Sequence, residues 1–438
     1  GDSSNTIIDG GGVSSVIYMN PQTATIDTTT LIQGFKITNG GNVSNGGGII
    51  CIGSSPRLLN ISVQNNNVSG HGAGIYLESC NNLSISLSSI NNNSAEKGGG
   101  FYIKNSIVIL SHVVVFENSS SWLGGGFWID NNSNLIFSNG SINDNSSDIG
   151  AGLGFQGGSH VELNNTELLN NQSDGSGGAI SGTASSSSLE LSNVLISGNN
   201  ATEGGGIRLS GPSMMAENTT ISDNSAFGTA GGIGTGGTGG GLHIRGGSIV
   251  NMDSTLVIFN NANNNGGGIY LYDSDANVSN SIISENSANN NGGGISNYGL
   301  ITLNIINTSI NDNEAGEEGE SFHSSWSGAN QNGSLNNCTI TGNYSSSSVI
   351  YIEGSTLLSN INQSNFYNTG YAINNTDNSM ILSATNNYWG DSSGPYHPSQ
   401  NSSGQGDSVN AFVNVDPWLT APNTDAPPIP AQSVAVSN

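Results

Sequence analysis

The sequence predicts an all-β parallel solenoid, and three observations carry that prediction. A triplet of small residues followed by a large apolar residue recurs along the chain. An apolar residue followed three places later by Asn keeps the same beat. Between these marks the chain alternates apolar and polar residues, a period of two that belongs to strands.

The first mark reads Gly46-Gly47-Gly48-Ile49, Gly72-Ala73-Gly74-Ile75, Gly98-Gly99-Gly100-Phe101 and Gly124-Gly125-Gly126-Phe127. It continues to Gly292-Gly293-Gly294-Ile295. The large residues 49, 75, 101, 127, 153, 180, 207, 242, 269 and 295 are spaced by 26, 26, 26, 26, 27, 27, 35, 27 and 26. We call them anchors. The second mark runs from Ile90 to Asn93 and on through Val115 to Asn118, Ile142 to Asn145, Leu168 to Asn171, Ile196 to Asn199 and Ile221 to Asn224. Later come Ile258 to Asn261, Ile283 to Asn286, Ile310 to Asn313 and Ile340 to Asn343.

Each repeat of 26–27 residues holds three short strands divided by Gly, Asn and Ser turns. Parallel strands at constant period without crossover helices stack as coils, about fourteen here, around one core. Anchor and anchor-plus-two positions are predicted to point inward. Asn118, Asn145, Asn171, Asn199, Asn224, Asn261 and Asn286 are predicted to form one stacked ladder at a turn, where Asn tolerates left-handed backbone.

Composition narrows the function. Six Lys+Arg against 31 Asp+Glu leave a net charge of −25, which excludes nucleic acid, whose phosphates need clustered base. An anionic membrane surface is disfavoured for the same reason, and no apolar run is long enough to insert in a bilayer. Three cysteines, Cys51, Cys80 and Cys338, are too few for a disulfide framework. No histidine pair shows zinc spacing. Gly232, Gly234 and Gly237 match GxGxxG without the strand and helix a nucleotide site requires.

Residues 1–380 read as the solenoid, 381–420 as a Trp-bearing C-terminal cap, and 421–438 as a Pro-rich linker to a missing domain or tail. Residues 227–238 read as an insertion in one coil, and 314–335, which lack the Gly triplet, as a long loop. The first coil is expected to be covered by a missing segment or by a strand from a second copy in head-to-tail assembly.

The anchor-plus-one position should face outward. It carries Tyr76, Tyr102 and Trp128 on three successive coils, then Arg208, His243 and Tyr270. An exposed aromatic strip would offer a platform for glycans, and the alternative is aromatic stacking that stabilises the sheet. The acidic stretch with Glu314, Glu317, Glu318 and Glu320 offers oxygen ligands for calcium. No other cofactor is expected. The six basic residues are scattered, with no stacked carboxylates read beside them, so no catalytic residue is assigned.

The alternation of Gly-Gly-Gly/Ala-Ile with apolar-x-x-Asn resembles the repeats of polymorphic outer-membrane proteins and related bacterial secreted right-handed β-helices of the pectate-lyase-like superfamily. Asn5 to Gly12 and Leu31 to Gly40 resemble their opening coils. Asn386 to Pro395 and Val413 to Leu419 are similar to their closing segment. The resemblance implies a right-handed turn and an extracellular or cell-surface location. It also implies a structural or adhesive role as stalk, adhesin or fibre subunit. The alternative is a carbohydrate-binding module, or a polysaccharide lyase or hydrolase on the same fold.

Overall fold

The structure, a computed structural model, describes residues 6–21, 26–229, 236–299, 302–326, 333–342, 348–354 and 358–429. Asn5, Gly232, Gly234, Asn343 and the tail from Pro430 onward lie outside the described residues. The chain is a parallel β-solenoid of about 14 turns. No helix among the described residues is long and apolar enough to cross a membrane. Contacts divide the chain into two compact units. The first holds Gly1–Gly228 with Arg245–Ile249, and the second Thr229–Ile244 with Val250–Asn438.

In the first unit the anchors open one strand per coil. Ile49–Ile52, Ile75–Glu78, Phe101–Lys104 and Phe127–Asp130 pair in parallel and in register, Ile49 to Ile75 to Phe101 to Phe127. Anchor and anchor-plus-two side chains are fully buried, as the alternation predicts. Phe101 and Phe127 stack at 4.6 Å with planes 1° apart. Identical neighbours stack because each coil repeats the same backbone one strand spacing further along.

The glycines are needed where the chain turns into the anchor strand. Gly98 sits at φ +64, a region that disfavours any residue with a Cβ. A Cβ on Gly99 would come 2.3 Å from the Ser119 carbonyl oxygen and 2.6 Å from that of Gly125. Backbone of the next coil therefore occupies the space that a side chain would need.

The predicted Asn ladder is present and longer than its named members. In the first unit Nδ2 of Asn66 donates to Oδ1 of Asn93 at 2.8 Å, and Asn93 to Asn118 at 2.9 Å. The series continues through Asn145, Asn171, Asn199 and Asn224 at 2.9–3.1 Å. Each acceptor oxygen also takes the preceding Asn backbone N–H, as Asn145 does from Asn118 at 3.0 Å. The second N–H of Asn145 goes to the Val115 carbonyl at 3.0 Å. Buried amides are thus satisfied on both sides. In the second unit the ladder runs Asn260, Asn286, Asn313. Asn261 is not a rung: it is exposed in the next short strand, Asn261–Ala262. Val257, not Ile258, is the inward residue of Leu256–Ile258, so the three-place offset lands on Asn260.

The described part of residues 314–335 is not one long loop, and residues 327–332 lie outside the described residues. Glu314–Ala315 and Phe322–Trp326 are strands of a regular coil, and Phe322 pairs with Ile295 before it and Ile350 after it. Gly319 keeps the left-handed turn at φ +70, while Glu320 takes the place of the middle glycine and is fully buried. The left-handed turn is kept by Gly319, and the middle position, closed by backbone at Gly99, admits a side chain in this coil.

The cap is held by Trp389, fully buried and stacked on Phe366 at 4.6 Å. The stretch after it is no free linker as far as residue 429. Asn423 exchanges hydrogen bonds with Asn365, its N–H reaching Oδ1 at 2.8 Å and its carbonyl accepting from Nδ2 at 2.9 Å. Asn337 donates to the Asp425 carbonyl at 2.9 Å and Thr339 to that of Pro427. Polar turn side chains hold this strap across the outside of the coils.

The second unit also carries ladders on its outer surface. Asn304 donates to Asn277 and Asn277 to Asn251, each at 2.9 Å. A second column runs from Asn337 to Asn307 to Asn280 to Asp253. In these outer columns, amides donate toward the preceding coil. Inside, they donate toward the following one.

Candidate functional site

The anchor-plus-one residues stand together, as the register requires: Tyr76 pairs with Tyr102 and Tyr102 with Trp128. They are not an exposed platform. Tyr76, Tyr102 and Trp128 retain 6%, 6% and 4% of their exposure. The left-handed glycine before each anchor folds the preceding strand against the outer side of the anchor strand. Ile50, Leu123 and the partly buried Ile149 pack with the three rings there, forming a second small core in the crease. Tyr76 stacks on Tyr102 at 5.3 Å, and His71 on the same Tyr102 at 4.7 Å. Burial pushes the Tyr102 hydroxyl up to about 12. His243 and Tyr270 are likewise buried, with rings 5.2 Å apart. Arg208 is part-buried, and its guanidinium pKa falls through desolvation and the nearby Arg245. Alternation identifies the face a residue points to. It does not reveal what folds over that face.

A row missed in the sequence lies two places further along each strand. Glu78, Lys104 and Asp130 share the anchor-plus-three position on successive coils and are in register. Lys104 Nζ lies 2.8 Å from Glu78 Oε1, both side chains about a third exposed at 35% and 29%. The Tyr76 hydroxyl donates to the other Glu78 oxygen at 2.7 Å. These two donors, Lys104 first, hold the Glu78 carboxyl below its ordinary pKa. Asp130 accepts from its neighbour Asn131 N–H at 2.8 Å and from Gln156 at 3.3 Å. The anchors 75, 101 and 127 plus three would have found the row. Lys104 therefore does have stacked carboxylates beside it.

Trp122 is exposed at 46% and lies under Lys97, whose Nζ is 4.3 Å from the ring centroid. The four glutamates proposed for calcium do not come together. Glu314 and Glu317 are exposed, Glu318 accepts from the Ser348 hydroxyl at 3.2 Å, and Glu320 is buried. No three His, Cys, Asp or Glu side chains among the described residues form a group that could hold a metal ion. Cys51, Cys80 and Cys338 are free and buried, and burial raises the pKa of all three thiols.

Removing the Lys104 ammonium is expected to raise the Glu78 pKa toward the ordinary carboxylate value. A part-exposed ion pair contributes little to stability, so the melting temperature should fall by an amount equivalent to less than about 1 kcal/mol. Carbon-detected NMR titration of Glu78 in Lys104→Ala checks the first expectation, and thermal unfolding the second. An unmoved Glu78 would show that Tyr76 alone sets its pKa.

Among known families, the model described as "Right handed beta helix region" matches residues 107–249. With the parallel coils on either side of that stretch, the match supports a right-handed β-helix. No curated protein and no solved structure matches the chain.

Proposed function

We propose that this chain is an extracellular structural or adhesive β-helix, a stalk, adhesin or fibre subunit, without catalytic activity. The observation that carries the reading is the filled crease. Where the turn brings two strands together and could have left a groove, Tyr76, Tyr102 and Trp128 close it with Leu123 and Ile149. Tyr76 and Tyr102, stacked on successive coils, also tie those two coils together. The Glu78 carboxylate is committed to Lys104 and Tyr76, and its lowered pKa makes it a poor proton donor near neutral pH. Antibody labelling and protease shaving of intact source cells test the location. Incubation with a panel of soluble and insoluble polysaccharides should give no new reducing ends and no unsaturated products.

One observation favours the second reading, a carbohydrate-active enzyme. Glu78 and Asp130 flank Lys104, two coils apart, roughly 10 Å along the axis. That is close to the carboxylate separation of inverting glycosidases. Product formation that disappears in Glu78→Gln would establish this reading and end the first.

A further inference from the structure

We propose that the outer turn of the second unit is a docking track for an extended, proline-containing peptide, and that the chain's own strap, Leu419 to Ile429, shows at the C-terminal part of that track how such a peptide is held. The proposal goes beyond the structural reading and does not depend on it.

The strap shows what the surface recognises. Leu419 donates to the Asn387 carbonyl at 2.9 Å. Asn423 bonds Asn365, Asn337 Oδ1 at 2.7 Å and the Gln363 carbonyl at 2.6 Å. Asn337 and Thr339 donate to carbonyls of Asp425 and Pro427. Thr339 and Asn365 are 1% and 3% exposed, and Ser309, next in the same row, is 1% exposed. Most of these contacts are uncharged side chains reaching peptide groups, and several end on carbonyls. Proline has no N–H to satisfy and keeps the backbone extended, so a proline-containing segment presents carbonyls with few donors left unmet.

The same surface continues beyond the strap. Asn337, Asn307 and Asn280 occupy one turn position on three coils, at φ +55, +50 and +50. Each donates one N–H to the rung before it, at 2.6, 3.3 and 2.7 Å. An amide has two N–H groups. At Asn337 the second one holds the Asp425 carbonyl. Asn307 and Asn280 repeat that backbone and that ladder bond, and both side chains are exposed. The row that the strap covers at Asn365 and Thr339 runs in register through Ser309 to Ile282 and Leu256. Ile282 and Leu256 are half-buried, and Ile306 is 42% exposed beside Asn307. The free part of the track thus offers the same amide donors with an apolar flank.

The test uses the full chain and a fluorescent synthetic peptide with the sequence of Leu419 to Ile429, against the same residues in scrambled order. Anisotropy should show saturable binding of the first peptide, little changed between low and high salt because the donors are neutral. Asn280→Ala with Ile282→Ala should weaken binding about tenfold, which is the loss of one net hydrogen bond and some apolar contact. Should that double variant unfold, the exposed Asn280→Ala alone gives the readout. Asn423→Ala, which loosens the strap, should leave binding unchanged. The proposal is overturned by absent binding, by equal binding of the scrambled peptide, or by indifference to the Asn280 substitution. It is also overturned if Asn423→Ala strengthens binding, because the peptide would then be displacing the strap.

Discussion

Asn145→Leu is expected to lower the unfolding free energy by about 3–5 kcal/mol, read by chemical denaturation. Leucine fills nearly the same space, so the loss is polar. Oδ1 of Asn145 accepts both the backbone N–H and the Nδ2 of Asn118, and its amide serves Asn171 and Val115. All of these groups are buried. Stranding a buried donor costs about 1–3 kcal/mol, and two donors are stranded here together with weakened acceptors. The exposed Asn277→Leu is the control. Its ladder bonds are open to water, and its expected cost is within about 0.5 kcal/mol. Equal losses at the two positions would mean that the inner ladder contributes no more than a surface contact.

The second large effect is pH dependence at His323. Burial lowers its pKa to about 4, and its ring stacks on Tyr351 at 5.6 Å. The unfolded chain takes up a proton near pH 6.5, while the folded chain resists until about pH 4. Between those values the unfolded state binds more protons, so stability rises with pH and is lost on acidification. The full difference approaches roughly 3 kcal/mol. His323→Phe should keep the stack and flatten the profile across that window. The difference between wild type and variant isolates this group from Asp407, whose raised pKa acts in the opposite direction. If the two profiles run parallel between pH 6.5 and 4, His323 is hydrated and the expectation fails.

Much of the fold was legible because a solenoid writes its geometry into the period. Gly98 and Asn145 are fixed by backbone, one by a positive φ and the other by a buried polar turn, and such positions repeat visibly. Legibility ended where two neighbouring residues could each serve. Val257 and Ile258 are equally apolar, and only the coil decides which turns inward. It ended again at Glu320, because Gly319 keeps the left-handed turn while the middle position admits a side chain. The site was less legible. Tyr102 is outward of its strand and still buried, since the covering residues Leu123 and Ile149 come from other strands. Glu78, Lys104 and Asp130 could have been aligned on the anchors, since they need only the same period read three places on. The strap could not, because Asn423 meets Asn365 and Asn337 through contacts that no repeat encodes.

The opposed direction of inner and outer ladders in the second unit has an electrostatic consequence. Each column of aligned amides adds its dipoles head to tail, as an α-helix does. Asn260, Asn286 and Asn313 point one way, while Asn304, Asn277 and Asn251 point the other. The two columns oppose each other, so the partial charge that one leaves at its last rung is offset by the other. An α-helix has no such internal counterweight. Duplicating a repeat of this kind therefore adds an inner and an outer rung of opposite sense, and the balance between the two columns is kept.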